Sequence, residues 1–314
     1  MHDRTAAGYE QPLYLLPFDH RNSYVRGMFD YSTPLGAAQQ RRVEDSKHLI
    51  YEGFLLAAET GIPKNAAGVL VDEAFGATIL RDARARGFVT ALSVERSGSD
   101  EFFFEYGDDY AAHIEAFDPT FAKVLVRYNP EDDAAMNQRQ AERLARLSET
   151  CARQRRPLMF ELLVPPTAAQ LESVHGDKNV YDLRIRPPLV MQAIAALQDA
   201  GVDTSVWKIE GLDRREDCER VVRSARAGGR DHVSCIVLGR GADDARVRAW
   251  LETAASVPGF VGFAVGRTTF FSAVADFESG AATRAQAARR IASQYAGWVA
   301  VFEQARMQRR TAAS

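Results

Sequence analysis

Several things are missing from this 314-residue chain, and each absence narrows what it can be. Cysteine occurs only at Cys151, Cys218 and Cys235, with no C-x-x-C pair. Neither a disulfide framework nor a zinc knuckle is expected from that spacing, and a reducing compartment is the default. No apolar run approaches the roughly 20 residues that span a bilayer, and Met1–Gln11 is too polar to read as a signal peptide. Surplus positive charge is missing as well: 39 basic residues against 42 acidic give a net −3. That balance argues against a nucleic-acid binder working through bulk basicity. His113, His175 and His232 have no partner at metal-ligand spacing and read as surface residues. The expectation is a cytoplasmic globular protein of enzyme size, with no metal and no cofactor.

Lysine is scarce too. It stands only at Lys47, Lys64, Lys123, Lys178 and Lys208, so nearly all the positive charge is arginine. A guanidinium stays protonated, so an amine that must lose its proton cannot be replaced by arginine. A lysine inside an apolar strand therefore marks a position of interest, and Lys123 and Lys208 both qualify.

What the chain does have is a series of eight short apolar runs. They are Leu13–Asp19, Gly68–Glu73, Phe88–Glu95, Phe121–Tyr128, Leu158–Val164, Val206–Gly211, Val233–Gly239 and Phe260–Gly266. Each is rich in β-branched, aliphatic or aromatic residues, as strands buried on both faces are. Arg- and Ala-rich stretches of helical period separate them. Glu131–Arg155 puts Met136, Gln140, Leu144, Leu147 and Cys151 on one face, with Asn129 as a predicted cap and Pro130 near the first turn. Arg220–Arg226 reads as a helix ending before Gly228-Gly229. A final amphipathic helix is expected within 281–314, with Ile291, Tyr295, Trp298 and Phe302 on its stripe. Residues 1–11 read as a disordered tail, and 20–67 and 165–205 are long enough for extra helices. Eight strands alternating with helices predict a single-domain α/β fold, a (β/α)8 TIM barrel. The rival open nucleotide-binding sheet lacks its glycine signature after the first run.

In such a barrel, chemistry belongs at the C-terminal strand ends. The eight runs end in or carry Asp19-His20-Arg21, Asp72-Glu73, Glu95-Arg96, Lys123 with Arg127, Glu161, Lys208 with Glu210, Gly239-Arg240 and Gly266-Arg267. Burial would free the amine of Lys208 for attack on a carbonyl, with Lys123 as a nearby cation; otherwise Lys208 pairs with Glu210. Desolvation would raise Glu161 toward the range of a general acid/base; the alternative is a buried salt bridge. The two Gly-Arg steps at the last strands, Gly239-Arg240 and Gly266-Arg267, suit an anion site. Asp19 and His20 either polarise a substrate hydroxyl or, for Asp19, cap a helix, while Arg21 suits a carboxylate. Asp72 and Glu73 are weak metal candidates.

Several of these segments resemble one known family. Pro17-Phe18-Asp19-His20-Arg21, Val71-Asp72-Glu73, Arg127-Tyr128-Asn129-Pro130, Phe160-Glu161-Leu162-Leu163-Val164-Pro165-Pro166, Trp207-Lys208-Ile209-Glu210-Gly211 and Gly262-Phe263-Ala264-Val265-Gly266-Arg267-Thr268 carry the resemblance. The family is the aldolase domain often fused behind 5-dehydro-2-deoxygluconokinase in bacterial myo-inositol catabolism. The likeness runs from Leu13 to Phe302 and is more distantly similar to class I tagatose- and fructose-bisphosphate aldolases. It implies a Schiff base on Lys208, a fourth-strand lysine at Lys123, an acid/base at Glu161 and an assisting Asp19. Phosphate would sit at Arg240 and Arg267 with their glycines, and a carboxylate at Arg21 or Arg127. The third-strand lysine of fructose-bisphosphate aldolases is replaced by Glu95-Arg96. The implied reaction splits 2-deoxy-5-keto-D-gluconate 6-phosphate into dihydroxyacetone phosphate and malonate semialdehyde. The partner is then a small phosphorylated sugar, with homo-oligomerisation open. A transaldolase or isomerase on a sugar phosphate or sulfo-sugar, or a non-catalytic sugar-phosphate binder, are the alternatives.

Overall fold

The computed structural model describes residues 8–312. Its eight strands are β1 (Leu13–Pro17), β2 (Ala67–Val71), β3 (Val89–Ser93), β4 (Phe121–Arg127), β5 (Leu158–Leu163), β6 (Val206–Glu210), β7 (Ser234–Leu238) and β8 (Phe260–Ala264). All neighbours pair in parallel, and β8 returns to β1, so the sheet closes in sequence order. This is the (β/α)8 barrel that the eight apolar runs predict.

The helices follow the strands. After β1 come α1 (Asn22–Phe29) and α2 (Ala37–Ala58), then α3 (Glu73–Ala85) after β2 and α4 (Tyr110–Phe117) after β3. Behind β4 lies α5 (Ala134–Arg153). The long segment after β5 holds α6 (Ala168–Ser173), α7 (Lys178–Val180), a π turn at Tyr181–Ile185 and α8 (Arg186–Asp199). The remainder are α9 (Arg215–Ala225), α10 (Asp244–Ala255), α11 (Arg267–Glu278) and α12 (Arg284–Ala312). The predicted start of the fifth helix is corrected: Asp133, not Asn129, caps it, accepting from the amides of Ala135 and Met136. Asn129 is occupied elsewhere. Its Oδ1 closes a tight turn on the Glu131 amide, and its amide donates to Pro165 O and Gln170.

Side-chain alternation divides the core in two. Leu13, Leu15, Leu70, Val89, Ala91, Phe121, Met159, Val206, Ile236 and Ala264 form an apolar cluster inside the barrel. Their strand neighbours, such as Tyr14, Leu16 and Trp207, belong to a larger cluster under the helices. Tyr9 seats its ring edge-on against Phe121 at 4.9 Å, and its amide donates to His232 O at 3.0 Å. The chain is thus already docked at Tyr9, short of Gln11; residues 1–7 of the expected tail lie outside the described residues. In α12, Ile291, Tyr295, Trp298 and Phe302 are buried. The stripe is therefore used within the chain, with Tyr295 donating to Tyr14 O at 2.7 Å. Residues 313–314 of the expected final helix lie outside the described residues.

The β8–β1 seam depends on a glycine. A Cβ at Gly262 would lie 1.7 Å from the carbonyl oxygen of Leu13, which is backbone and cannot rotate aside. We predict that Gly262→Ala lowers stability by about 1–3 kcal/mol or more through overpacking. Urea unfolding measures this; an unchanged midpoint would contradict the close seam.

Candidate active site

Above the apolar layer, the same alternation turns ionisable residues inward. Ser93 lies beside Lys123 in the β3–β4 register, and Glu161 beside Lys208 between β5 and β6. Lys123 is fully buried and is the hub. Its Nζ lies 2.8 Å from Asp19 Oδ2, 2.9 Å from Glu95 Oε1 and 2.8 Å from Glu161 Oε2. Lys208 Nζ lies 2.8 Å from the same Glu161 oxygen. Ser93 adds a hydrogen bond to Asp19 Oδ2 at 2.8 Å. Glu161, Lys123 and Lys208 come from the adjacent strands β4, β5 and β6, and Asp19 joins them from beyond β1 across the barrel.

Burial sets the charge states against the ion pairs. Burial alone would lower Lys123, yet Asp19, Glu161 and Glu95 hold it well above its usual range. For Asp19 burial opposes ionisation, but Lys123, His20 and Lys208 hold its carboxyl well below the ordinary value. Glu161 was expected above its usual range by desolvation; Lys123 and Lys208 outweigh burial and lower it. At rest it is thus a base and not an acid. Glu95 is the exception, raised by burial and the Asp19 carboxylate against the pull of Lys123 and Arg21. Burial lowers His20 to about 4, with Arg267 and Lys208 adding to the effect and Asp19 opposing it.

This cluster is the floor of a cavity of about 310 Å³ at the C-terminal strand ends. His20, Arg21, Arg127, Arg240, Gly266 and Arg267 also line it, together with loop 95–102 after β3. Not all of them are free. Arg21 is 8% exposed, donates to Glu95 O and pairs with Glu105 at 3.1 Å. It braces the loop after β3 with two nitrogens committed, while its Nε is buried without a hydrogen-bond partner among the described residues. Arg240 lies 2.7 Å from Asp182 Oδ2 and 2.9 Å from Glu210 Oε1, so two of its nitrogens are committed. Arg127 has one contact of note, to Ser99 O at 3.3 Å. Arg267 is exposed, begins α11 and donates to Arg240 O at 3.0 Å.

Some sequence expectations are redirected. Lys208 does not pair with Glu210, which instead takes Arg240 and the Val164 amide. Gly239 packs toward Val265 and does not line the cavity; Gly241 does. With φ at +73°, Gly241 has the Arg267 guanidinium 2.7 Å from where a Cβ would stand. Gly266 is required by the Pro17 carbonyl, 2.2 Å from its own Cβ position. Asp72 caps α3 and pairs with Lys47, a buried lysine of α2 that also donates to His20 O at 3.1 Å. Glu73 accepts from His113, which stacks on Tyr106. Among the described residues, no group of three or more His, Cys, Asp or Glu is placed to hold a metal. None of their helices is long and apolar enough to cross a membrane. Glu95 was readable only as the end of the third apolar run; its two-residue offset from Ser93 was the signal that it faces inward.

A family model described as "Uncharacterized protein conserved in bacteria (DUF2090)" matches residues 1–306. The chain belongs to that family. No curated protein sequence matches this DUF2090 member. Its barrel is similar to several solved structures. Fructose-bisphosphate aldolase from Plasmodium falciparum gives a TM-score of 0.62 at 13% identity, covering 92% of this chain and 90% of that one. An archaeal fructose 1,6-bisphosphate aldolase gives 0.56 at 13%, with 92% and 95% covered. The protein Cgl0159 from Corynebacterium glutamicum gives 0.54 at 20%, with 93% and 88% covered. At these identities the likeness is one of fold.

Removing the hub has a signed consequence. Lys123→Met leaves three buried carboxylates without their shared cation, and we predict a loss of about 3–5 kcal/mol at neutral pH. In the wild type, the stabilisation from Asp19 and Glu161 is present above their unfolded values of about 4 and fades as pH falls through their lowered folded values. In the variant these carboxyls hold protons to higher pH, so its deficit narrows as pH falls from 7 toward about 4. Denaturant titrations across that range check both size and sign.

Proposed function

We propose that this protein is a class I aldolase acting on a phosphorylated keto-sugar or keto-sugar acid. The observation that carries the reading is Lys208, buried on β6, with its Nζ on an ionised Glu161 at the floor of a cavity flanked by arginines. The barrel's likeness to two fructose-bisphosphate aldolases supports the same reaction class.

The geometry gives each group a step. Lys208 passes a proton to Glu161, and the resulting amine adds to the substrate ketone. Glu161 returns that proton to the departing hydroxyl, water leaves, and an iminium remains. The carboxylate of Glu161 then takes the proton from the hydroxyl two carbons away. The carbon–carbon bond breaks, its electron pair moves into the iminium, and an aldehyde departs. Protonation and hydrolysis release the ketone product. Lys123 stays an ammonium throughout, its three contacts holding the carboxylates in register.

The two ends of the cavity suggest the substrate. Arg267, over Gly241 and at the start of α11, is the phosphate anchor, with Gly266 allowing close approach. Arg240 borders that anchor, but it serves mainly to hold Asp182 and Glu210. Of the two arginines considered for a carboxylate, Arg127 is the one with a free face. A phosphate at one end and a carboxylate at the other fit 2-deoxy-5-keto-D-gluconate 6-phosphate, cleaved to dihydroxyacetone phosphate and malonate semialdehyde.

Borohydride trapping with dihydroxyacetone phosphate, followed by peptide mass mapping, is expected to give a stable adduct on Lys208 and none in Lys208→Ala. Bound ligand without an adduct would overturn the Schiff-base mechanism. Arg267→Ala is expected to raise the half-saturating concentration of dihydroxyacetone phosphate roughly tenfold or more, the worth of one charged hydrogen-bonded contact. An unchanged value would place the phosphate elsewhere.

A further inference from the structure

Glu95 is a hub carboxyl to which the mechanism above gives no step. It follows β3 on the interior side, and its backbone bridges to Phe104, which fixes its place at the cavity wall. Oε1 lies 2.9 Å from Lys123 Nζ, while Oε2 is buried and has no hydrogen-bond partner among the described residues. The other two hub acids are better provided for. Asp19 has Ser93 in addition to Lys123, and Glu161 has Lys208. Glu95 has only the Arg21 guanidinium at 3.8 Å, and Arg21 is closer to Glu105 at 3.1 Å.

The groups facing Glu95 can be listed by element: Asp19 and Arg21 after β1, Lys123 on β4, Glu161 on β5, Lys208 on β6, and Glu105 behind Arg21. Three carboxylates share two ammoniums, and Arg21 is shared with a fourth acid. One negative charge is in surplus, and a buried cluster sheds such a charge most cheaply by holding a proton. The orphan oxygen is where a proton costs least, because it displaces no existing contact. The direction in which burial moves this carboxyl agrees.

We propose that Glu95 is a further catalytic residue of this site, a neutral carboxylic acid whose Oε2–H donates a hydrogen bond to a substrate oxygen across the mouth from Lys208. It transfers no proton. It stabilises the oxygen that gains negative charge as the carbon–carbon bond breaks, while Glu161 takes the proton. The charge state stands on the cluster alone; the catalytic role rests on the aldolase reading.

Infrared difference spectra of wild type against Glu95→Gln at neutral pH test the charge state. A carboxylic-acid carbonyl band present in the wild type and lost in the variant is expected; no lost band overturns the proposal. In cleavage of 2-deoxy-5-keto-D-gluconate 6-phosphate, Glu95→Gln keeps a neutral donor and is expected within about tenfold of wild type, whereas Glu95→Ala falls about 10²-fold, the worth of one such donor. A glutamine variant as impaired as alanine, while folded by its thermal transition, would reduce Glu95 to a counter-ion of Lys123. A wild type that forms no borohydride adduct on Lys208 would refute the aldolase reading and with it the catalytic role. The infrared result would still decide the protonation.

Discussion

A single ammonium held by three carboxyl groups organises this molecule. Lys123 is fully buried, and a buried cation is tolerable only where opposite charges meet it at hydrogen-bonding distance. Ionised Asp19 and Glu161 do so, with the Glu95 carboxyl beside them, from on or just beyond three other strands, so the charge balance of the site and the closure of the barrel are one requirement. Shear between strands by one residue would turn these side chains out of the interior and leave charges unpaired in the core. The apolar layer beneath supplies the hydrophobic gain, while the polar layer above penalises every other register.

The same hub explains the division of labour. Because all three Lys123 contacts are carboxyl oxygens, two of them ionised, it is a fixed cation. Because Glu161 shares one oxygen between Lys123 and Lys208, it is the group that both positions the Lys208 Nζ and lies within proton-transfer distance of it. Around this centre a second tier of ion pairs holds the loops. Lys47 ties Asp72 to the His20 carbonyl, Arg21 ties Glu95 to Glu105, and Arg240 ties Asp182 to Glu210. Each braces a loop that feeds the mouth.

How much of this could be read in advance depended on the range of the interaction. The eight strands were legible because each is a short apolar run, and each strand ends within two residues of the expected limits. Lys208, Glu161, Lys123 and Asp19 stood out as charges within or bounding such runs. What one sequence does not encode locally is which acid meets which base. Asp19 and Lys123 are 104 residues apart and on non-adjacent strands, so their contact follows only from the closed barrel. The Arg240–Asp182 pair depends on a π turn that no simple periodicity announces. Asn129 looked like a cap because it precedes a proline and acids, but its Oδ1 closes a tight turn on the Glu131 amide and the helix starts after Asp133.

Tyr9 has a consequence for traffic. With its ring seated on Phe121 and the apolar layer filling the barrel above it, the lower end is sealed, and Lys208 is reached through the loop-lined mouth. On the aldolase reading, one door cannot discharge two products independently. The fragment bonded to Lys208 would stay behind while the free aldehyde passes out between Arg127 and Arg267, and only then could water enter to release the rest. In that arrangement the plug at the bottom of the barrel sets the order of departure at the top.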